Sequence, residues 1–336
     1  MYIKSSSALI LASVLLSIFA SSIFADYENR DSVKNFVDEL AVDDGFDRQQ
    51  LLDIFEQVEK KQRIIDLISK PAEKAKPWHE YREIFVTASR IAAGIEFWKE
   101  NEAALNRARL EFGIPSEIIV AVIGVETNYG RNKGSFRVMD ALSTLAFDYP
   151  PRARFFRGEL RELLLLAREE NKDPLELIGS YAGAMGYGQF IPSSFRAYAK
   201  DFDGDGRRDI WSNRTDAIGS VANYFDRHGW HGDGHIALPV TVTGDRVDQF
   251  ANQGLKPKRS IAELRTAGME SVSLPDETLG ALFKLENRGG WEYWLGLHDF
   301  YVVTRYNHSH MYALAVVQLS NAIQNRWDEL KKPDRL

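Results

Sequence analysis

Ile118-Ile119-Val120-Ala121-Val122-Ile123-Gly124-Val125-Glu126-Thr127-Asn128-Tyr129-Gly130 sets one acid at the end of a run that is apolar on every face. A segment with no polar face is either a buried helix or a strand. Pro115-Ser116-Glu117 immediately ahead of it is a helix-start signal, which favours the helix. Gly130 is expected to close it. The stretch therefore predicts the centre of a helical core, with Glu126 where that core meets solvent.

Helical patterning continues on both sides. Val33, Phe36, Val37 and Leu40 recur at three- and four-residue spacing, as do Leu51, Leu52, Phe55 and Val58. Lys70–Pro77 is a polar break with two prolines, and a long helix is expected from about Phe85 to Leu110 with Asn101 and Glu102 on its wet side. Further helices are expected over Phe155–Glu170, from Asp173-Pro174, and after a cap at Ser193. Past His235 the period changes: Leu238–Thr243, Val272–Leu274, Ala281–Leu285 and Tyr293–Leu295 alternate as strands do, with Gly, Asp and Asn between them. Helical spacing returns at Tyr312–Leu319 and runs to Ile323. The expected class is mainly α (α+β): a helical domain at 26–112, a core at 113–235, a small inserted antiparallel β domain at 236–300, and a strand or helix at 301–336 returning to the core.

The N-terminus stands apart. Lys4 precedes an apolar run from Ala8 to Phe19, and Ser21–Ala25 supplies small residues ahead of Asp26. That is the pattern of an export signal over 1–25, since the apolar run is short for a membrane span; an uncleaved anchor is the alternative. A periplasmic location is expected. The 336 residues include no cysteine, so neither a disulfide nor a lipidated N-terminal cysteine is available. A net charge of −6 argues against nucleic acid or an anionic membrane surface as partner.

At Glu126, burial and the negative end of the helix dipole both disfavour the carboxylate. A glutamate kept protonated in this way can donate a proton to a glycosidic oxygen. A glutamate that merely ends the helix is the alternative. A second stretch bears on the choice: Ser180-Tyr181-Ala182-Gly183-Ala184-Met185-Gly186-Tyr187-Gly188-Gln189-Phe190-Ile191-Pro192-Ser193-Ser194 interleaves small residues with aromatics. Glycines admit a ligand close to the backbone, and tyrosines offer faces and hydroxyls to sugar rings. The same glycines would also permit tight helix packing.

Together with Arg305-Tyr306-Asn307-His308-Ser309, these two stretches resemble the B family of lytic transglycosylases, over roughly 30 to 330. The resemblance implies a lysozyme-like catalytic core beside a helical domain and a small β domain. It also implies one catalytic glutamate in place of the two carboxylates of most glycosidases. Glu126 would protonate the oxygen between N-acetylmuramic acid and N-acetylglucosamine in peptidoglycan glycan strands. It would then take a proton from the muramic C6 hydroxyl, leaving a 1,6-anhydro ring, with an oxazolinium from the N-acetyl group replacing the second acid. Asp140 and Asp148 stay open as second acids at this level. Ser180 would orient the N-acetyl group, Gln189 would contact substrate, and Tyr81, Arg152, Tyr187, Tyr306 and Asn307 would line the groove. A monomer needing no cofactor for its chemistry is expected, with cell-wall synthesis or hydrolysis complexes as further partners. A lysozyme-type hydrolase and an idle peptidoglycan-binding scaffold are the rival readings.

Asp201-Phe202-Asp203-Gly204-Asp205-Gly206-Arg207-Arg208-Asp209 reads as the first nine positions of an EF-hand loop. Asp201, Asp203, Asp205 and Asp209 would hold calcium with the Arg207 carbonyl. Position 12, where a bidentate acid belongs, is Ser212, so affinity should fall, and a structural role is expected for the ion. The family also carries such a loop. His228, His231 and His235 lie in a glycine-rich segment, but their spacing fits no helical histidine pair, so a turn is expected there in preference to zinc. Trp291, Tyr293 and Trp294 read as filling a small sheet, with sugar stacking as the alternative.

Overall fold

The computed structural model describes residues 27–70, 76–232, 234–270 and 272–332. The export signal expected over 1–25 and most of the 70–77 break lie outside them.

The expected central helix is Ser116–Thr127, and ten of its twelve residues are buried. Its Ile and Val content is unfavourable for an isolated helix, because branching at Cβ stiffens χ1 against the preceding turn. Tertiary burial overrides that preference. The C-terminal helix His310–Lys331 packs along it, flanked by Ala88–Glu100, Glu102–Phe112 and Arg214–Arg227. Val138–Asp148 and Ala153–Glu169 form a second antiparallel layer, against which the N-terminal helices Asp31–Asp44, Arg48–Glu56 and Gln62–Ser69 close.

The chain then departs from expectation at several points. The single helix expected over 85–110 is two helices, broken at Asn101, whose side-chain amide donates to the Phe97 carbonyl at 2.7 Å. That bond caps a helix end, the role for which asparagine competes best. A separate short helix, Trp78–Phe85, precedes them. No helix starts at Asp173-Pro174; Asp173 folds into a local turn by accepting from Leu175 N–H at 2.8 Å. Ser193 is not a cap, because Pro192 begins its helix and Ile191 precedes it as the N-cap.

Beyond His235 a four-stranded antiparallel sheet runs in the order Ala237–Val240, Gly290–Gly296, Leu279–Asn287, Arg259–Ser260. Phe283 faces Trp294 and Leu285 faces Glu292 across the long hairpin. Val272–Leu274 is not a strand; its carbonyls accept from the Arg265 guanidinium. A small separate core of Val247, Ile261, Leu264, Met269, Leu282 and Leu295 sits beneath this sheet. The described part of the 301–336 segment carries two helical stretches, Tyr301–Tyr306 of the helix beginning at His298 and His310–Lys331, joined through the extended Asn307–Ser309 link, and no strand.

Candidate active site and metal loop

Glu126 is the penultimate residue of the central helix and is half-buried. Asn128, not Gly130, ends that helix: it adopts a left-handed conformation (φ 50°, ψ 52°) and donates to the Gly124 carbonyl at 3.0 Å. Asparagine tolerates this conformation better than other side-chain-bearing residues. Tyr129 (φ 60°) and Gly130 (φ 85°) continue the reversal. Thr127 locks it: its hydroxyl oxygen accepts from Gly130 N–H at 2.9 Å and lies 2.9 Å from the Tyr187 carbonyl. The two stretches that flank the site are thus tied together directly behind Glu126.

One carboxyl oxygen of Glu126 accepts from the Tyr312 hydroxyl at 2.6 Å. Tyr312 is buried in the first turn of the C-terminal helix, and its phenol is pushed well above its ordinary pKa by burial and then by the neighbouring Glu126 charge. Tyr306 is raised in the same way, for the same two leading reasons, and its hydroxyl donates to the Gly188 carbonyl at 2.5 Å. Both phenols are therefore held neutral as donors. Nothing in the sequence marked Tyr312, since it falls on the apolar spacing of a helix and reads as core.

The Ser180–Ser194 stretch is a set of tight turns. Met185 and Phe190 pair through reciprocal backbone bonds, and Gly179 pairs with Phe136 in a two-stranded ribbon. The Ser180 oxygen accepts from Ala184 N–H at 3.0 Å and Ala182 N–H at 3.3 Å, which leaves its own proton free to donate. Gln189 has a left-handed backbone (φ 52°) and donates to Gly186 O at 3.0 Å, leaving its side-chain carbonyl to accept. The Tyr187 ring is buried beneath Lys133, 4.6 Å from its centroid.

Tyr81 is buried, stacked on Trp78, and lies close enough to Tyr312 to raise that phenol's pKa. Asn307 is exposed directly after Tyr306. Arg152 is placed differently: it lies over the Phe155 ring at 4.6 Å and borders a cleft of about 980 Å³ with Glu159, Ser193 and Arg196. Glu126 is not on that cleft's wall. A larger cleft of about 1060 Å³ borders Tyr129, Gly130, Tyr187 and Arg214, behind the turn rather than at the Glu126 carboxyl. The two other acids are committed elsewhere. Asp148 accepts from Tyr27, Arg30 and Lys60, and buried Asp140 from Arg137 and the Glu59 N–H, all at the seam with the N-terminal helices.

Glu126 is thus a half-buried acid at a helix C-terminus, beside neutral phenols and a glycine-rich turn. The transglycosylase SLT domain model matches residues 28–321. The chain belongs to the transglycosylase SLT domain family. As an SLT-domain protein it is a lytic transglycosylase, cutting peptidoglycan with formation of anhydro-muramyl ends. It is 45% identical to the membrane-bound lytic murein transglycosylase B of Escherichia coli K12, over 89% of this chain and 84% of that one. The structure of the catenated lytic transglycosylase SltB1 of Pseudomonas aeruginosa superposes with a TM-score of 0.87 at 52% identity, over 90% of this chain and 99% of that chain. Escherichia coli Slt35 in complex with calcium gives 0.82 at 44% identity, over 90% and 95%. Among the described residues of the SLT-domain chain, no helix is long and apolar enough to cross a membrane.

In the acidic loop, Asp201, Asp203 and Asp205 bring one carboxylate oxygen each within 4.8 Å of one another. No cationic side chain pairs with them among the described residues. Asp201 takes the N–H groups of Gly204 and Gly206, and both glycines have positive φ, as the sharp turn requires. Asp209 does not join the three. It accepts from Trp211 N–H at 2.9 Å, from Ser212 N–H at 3.0 Å and from the Ser212 hydroxyl. Positions 9 and 12 thus satisfy each other. Buried Asp216, which the loop pattern did not include, gathers the N–H groups of Phe202 at 2.7 Å and Asp209 at 2.8 Å from beneath.

Proposed function

We propose that Glu126 acts alone, as acid and then as base, on the bond between N-acetylmuramic acid and N-acetylglucosamine. The observation that carries this is the Tyr312 hydrogen bond to one Glu126 oxygen. It fixes the carboxyl at the end of the central helix, from which Glu126 delivers its proton to substrate. In the first half-reaction that proton moves to the glycosidic oxygen as the C1–O bond breaks, and the N-acetyl carbonyl oxygen closes on C1 to give the oxazolinium. In the second, the C6 hydroxyl attacks C1, opens the oxazolinium and returns its proton to Glu126. No water is consumed, and the enzyme ends in its starting state. Ser180, with its proton free, orients the N-acetyl group; Gln189 contacts the sugar; Tyr81, Tyr187, Tyr306 and Asn307 line the groove. Arg152 lines the groove from the cleft it shares with Glu159 and Ser193.

Calcium fits the 201–212 loop through Asp201, Asp203, Asp205 and the Arg207 carbonyl, with Asp209 and Ser212 turned toward each other. It would tie down the segment following Gln189 and takes no part in the chemistry. The leader pattern supports a periplasmic place of action.

Glu126→Gln, an isosteric change, tests the assignment. It should remove peptidoglycan cleavage while leaving the circular dichroism and glycan binding unchanged. Mass spectrometry of wild-type digests should show ends lighter by one water than reducing ends; reducing ends would favour a hydrolase, and an active Glu126→Gln enzyme would end the one-glutamate reading.

A further inference from the structure

The glycine-rich segment at 228–235 does not gather its own histidines. His228 turns inward, its Nδ1 2.7 Å from the Tyr224 carbonyl and its ring stacked on Tyr224. His231 instead meets two residues from the start of the His298–Tyr306 helix. His231, His298 and Asp299 each offer a ligand atom, and these lie within 4.8 Å of one another.

Three features make this more than a chance grouping. Asp299 is buried, at 5% exposure, yet no Lys or Arg pairs with it among the described residues. It lies in the first turn of its helix and takes one backbone N–H bond on each oxygen, from His231 at 3.0 Å and Gly232 at 2.8 Å, which aim the carboxylate at the two histidines and leave a lone pair on each oxygen for a cation. His298 Nε2 lies 2.8 Å from the Gly229 carbonyl. A carbonyl can only accept, so Nε2 is the donor there, and in the neutral ring Nδ1 keeps its lone pair, as in the outer-shell arrangement of metal-binding histidines. The His231 ring is exposed and makes no hydrogen bond among the described residues.

We propose that His231, His298 and Asp299 form a binding site for a divalent transition metal, zinc by ligand type. Two imidazoles and one carboxylate with a remaining open position suit that ion, and its hard competitors calcium and magnesium prefer all-oxygen sites. The two rings stack face to face, 3.8 Å apart and 6° from parallel. An ion lying in the plane of both requires one of them to turn, and His231 is the one free to do so. Zinc here would clasp the 229–232 loop to the helix that ends at Tyr306. It would sit at the entrance to the β region, separate from the acidic loop.

The test uses the full chain, stripped with chelator and then held in saturating calcium to occupy the acidic loop. Cobalt titration should give the visible d–d absorption of a low-coordinate site with nitrogen ligands, at one equivalent, and zinc should bleach it. His231→Ala and His298→Ala should each weaken cobalt and zinc binding at least tenfold and remove the rise in melting temperature that zinc produces in the parent chain. Both side chains are exposed, so the variants should fold. Absence of the cobalt bands in the parent chain overturns the site, as does zinc affinity that neither variant changes. In either case the histidines would be only a stacked pair.

Discussion

At Glu126, one carboxyl oxygen is held by the Tyr312 hydroxyl at 2.6 Å. On the reading that Glu126 is the acid, Tyr312→Phe removes the bond that orients it. The change should lower kcat by about tenfold or more with KM little changed, as removal of a hydrogen bond to a charged group is worth ~1.5–3 kcal/mol. Steady-state cleavage kinetics check it. An unchanged kcat would make Tyr312 a packing residue only.

Among elements, the central helix tolerates little change at its C-terminal end. A Cβ on Gly124 would stand 2.6 Å from the Tyr129 hydroxyl, which itself donates to Arg90 O at 2.9 Å. Gly124→Ala should therefore cost ~1–3 kcal/mol by overpacking, read from urea unfolding, although alanine is the better helix former. Activity should fall with it, because Tyr129 lies in the turn that follows Glu126. The acidic loop makes a second element-scale prediction. Calcium at a hundred times its Kd should add about 2.7 kcal/mol of stability, and chelator should remove it. The paired change Asp201→Asn with Asp203→Asn should abolish the response of the melting temperature to calcium. An identical response in that variant would place the ion elsewhere.

For the whole molecule, pH acts through histidines that the fold keeps neutral. Burial is the leading cause that lowers the pKa of both His228 and His310, and no carboxylate offsets it. The unfolded chain then binds protons near pH 6.5 that the folded chain refuses, so stability rises with pH through that window and is lost as pH falls below it. Melting temperature should decline from pH 7.5 to 5.5. His310→Phe keeps the face-to-face contact with Phe283 and should flatten part of that decline. An unchanged slope would shift the effect to His228.

Local chemistry made some of this molecule legible in advance. An apolar run without a polar face can only be buried, so Ile118–Val125 declared the core helix and put Glu126 at its end. The alternation past 236 declared the long hairpin, and the spacing of Asp201, Asp203 and Asp205 declared a tight acidic turn. Boundaries were less legible, because Asn101, Asp173 and Asn128 act through single side-chain or backbone bonds that periodicity does not register. The tertiary structure alone decided which groups meet. Tyr312 reaches Glu126 across 186 positions, Arg152 borders a cleft with Glu159 and Ser193, Asp209 turns to Ser212, and His231 finds His298 and Asp299. The physical reason is common to all four: periodicity reports which face of an element is buried, while contacts between elements depend on how those faces pack together.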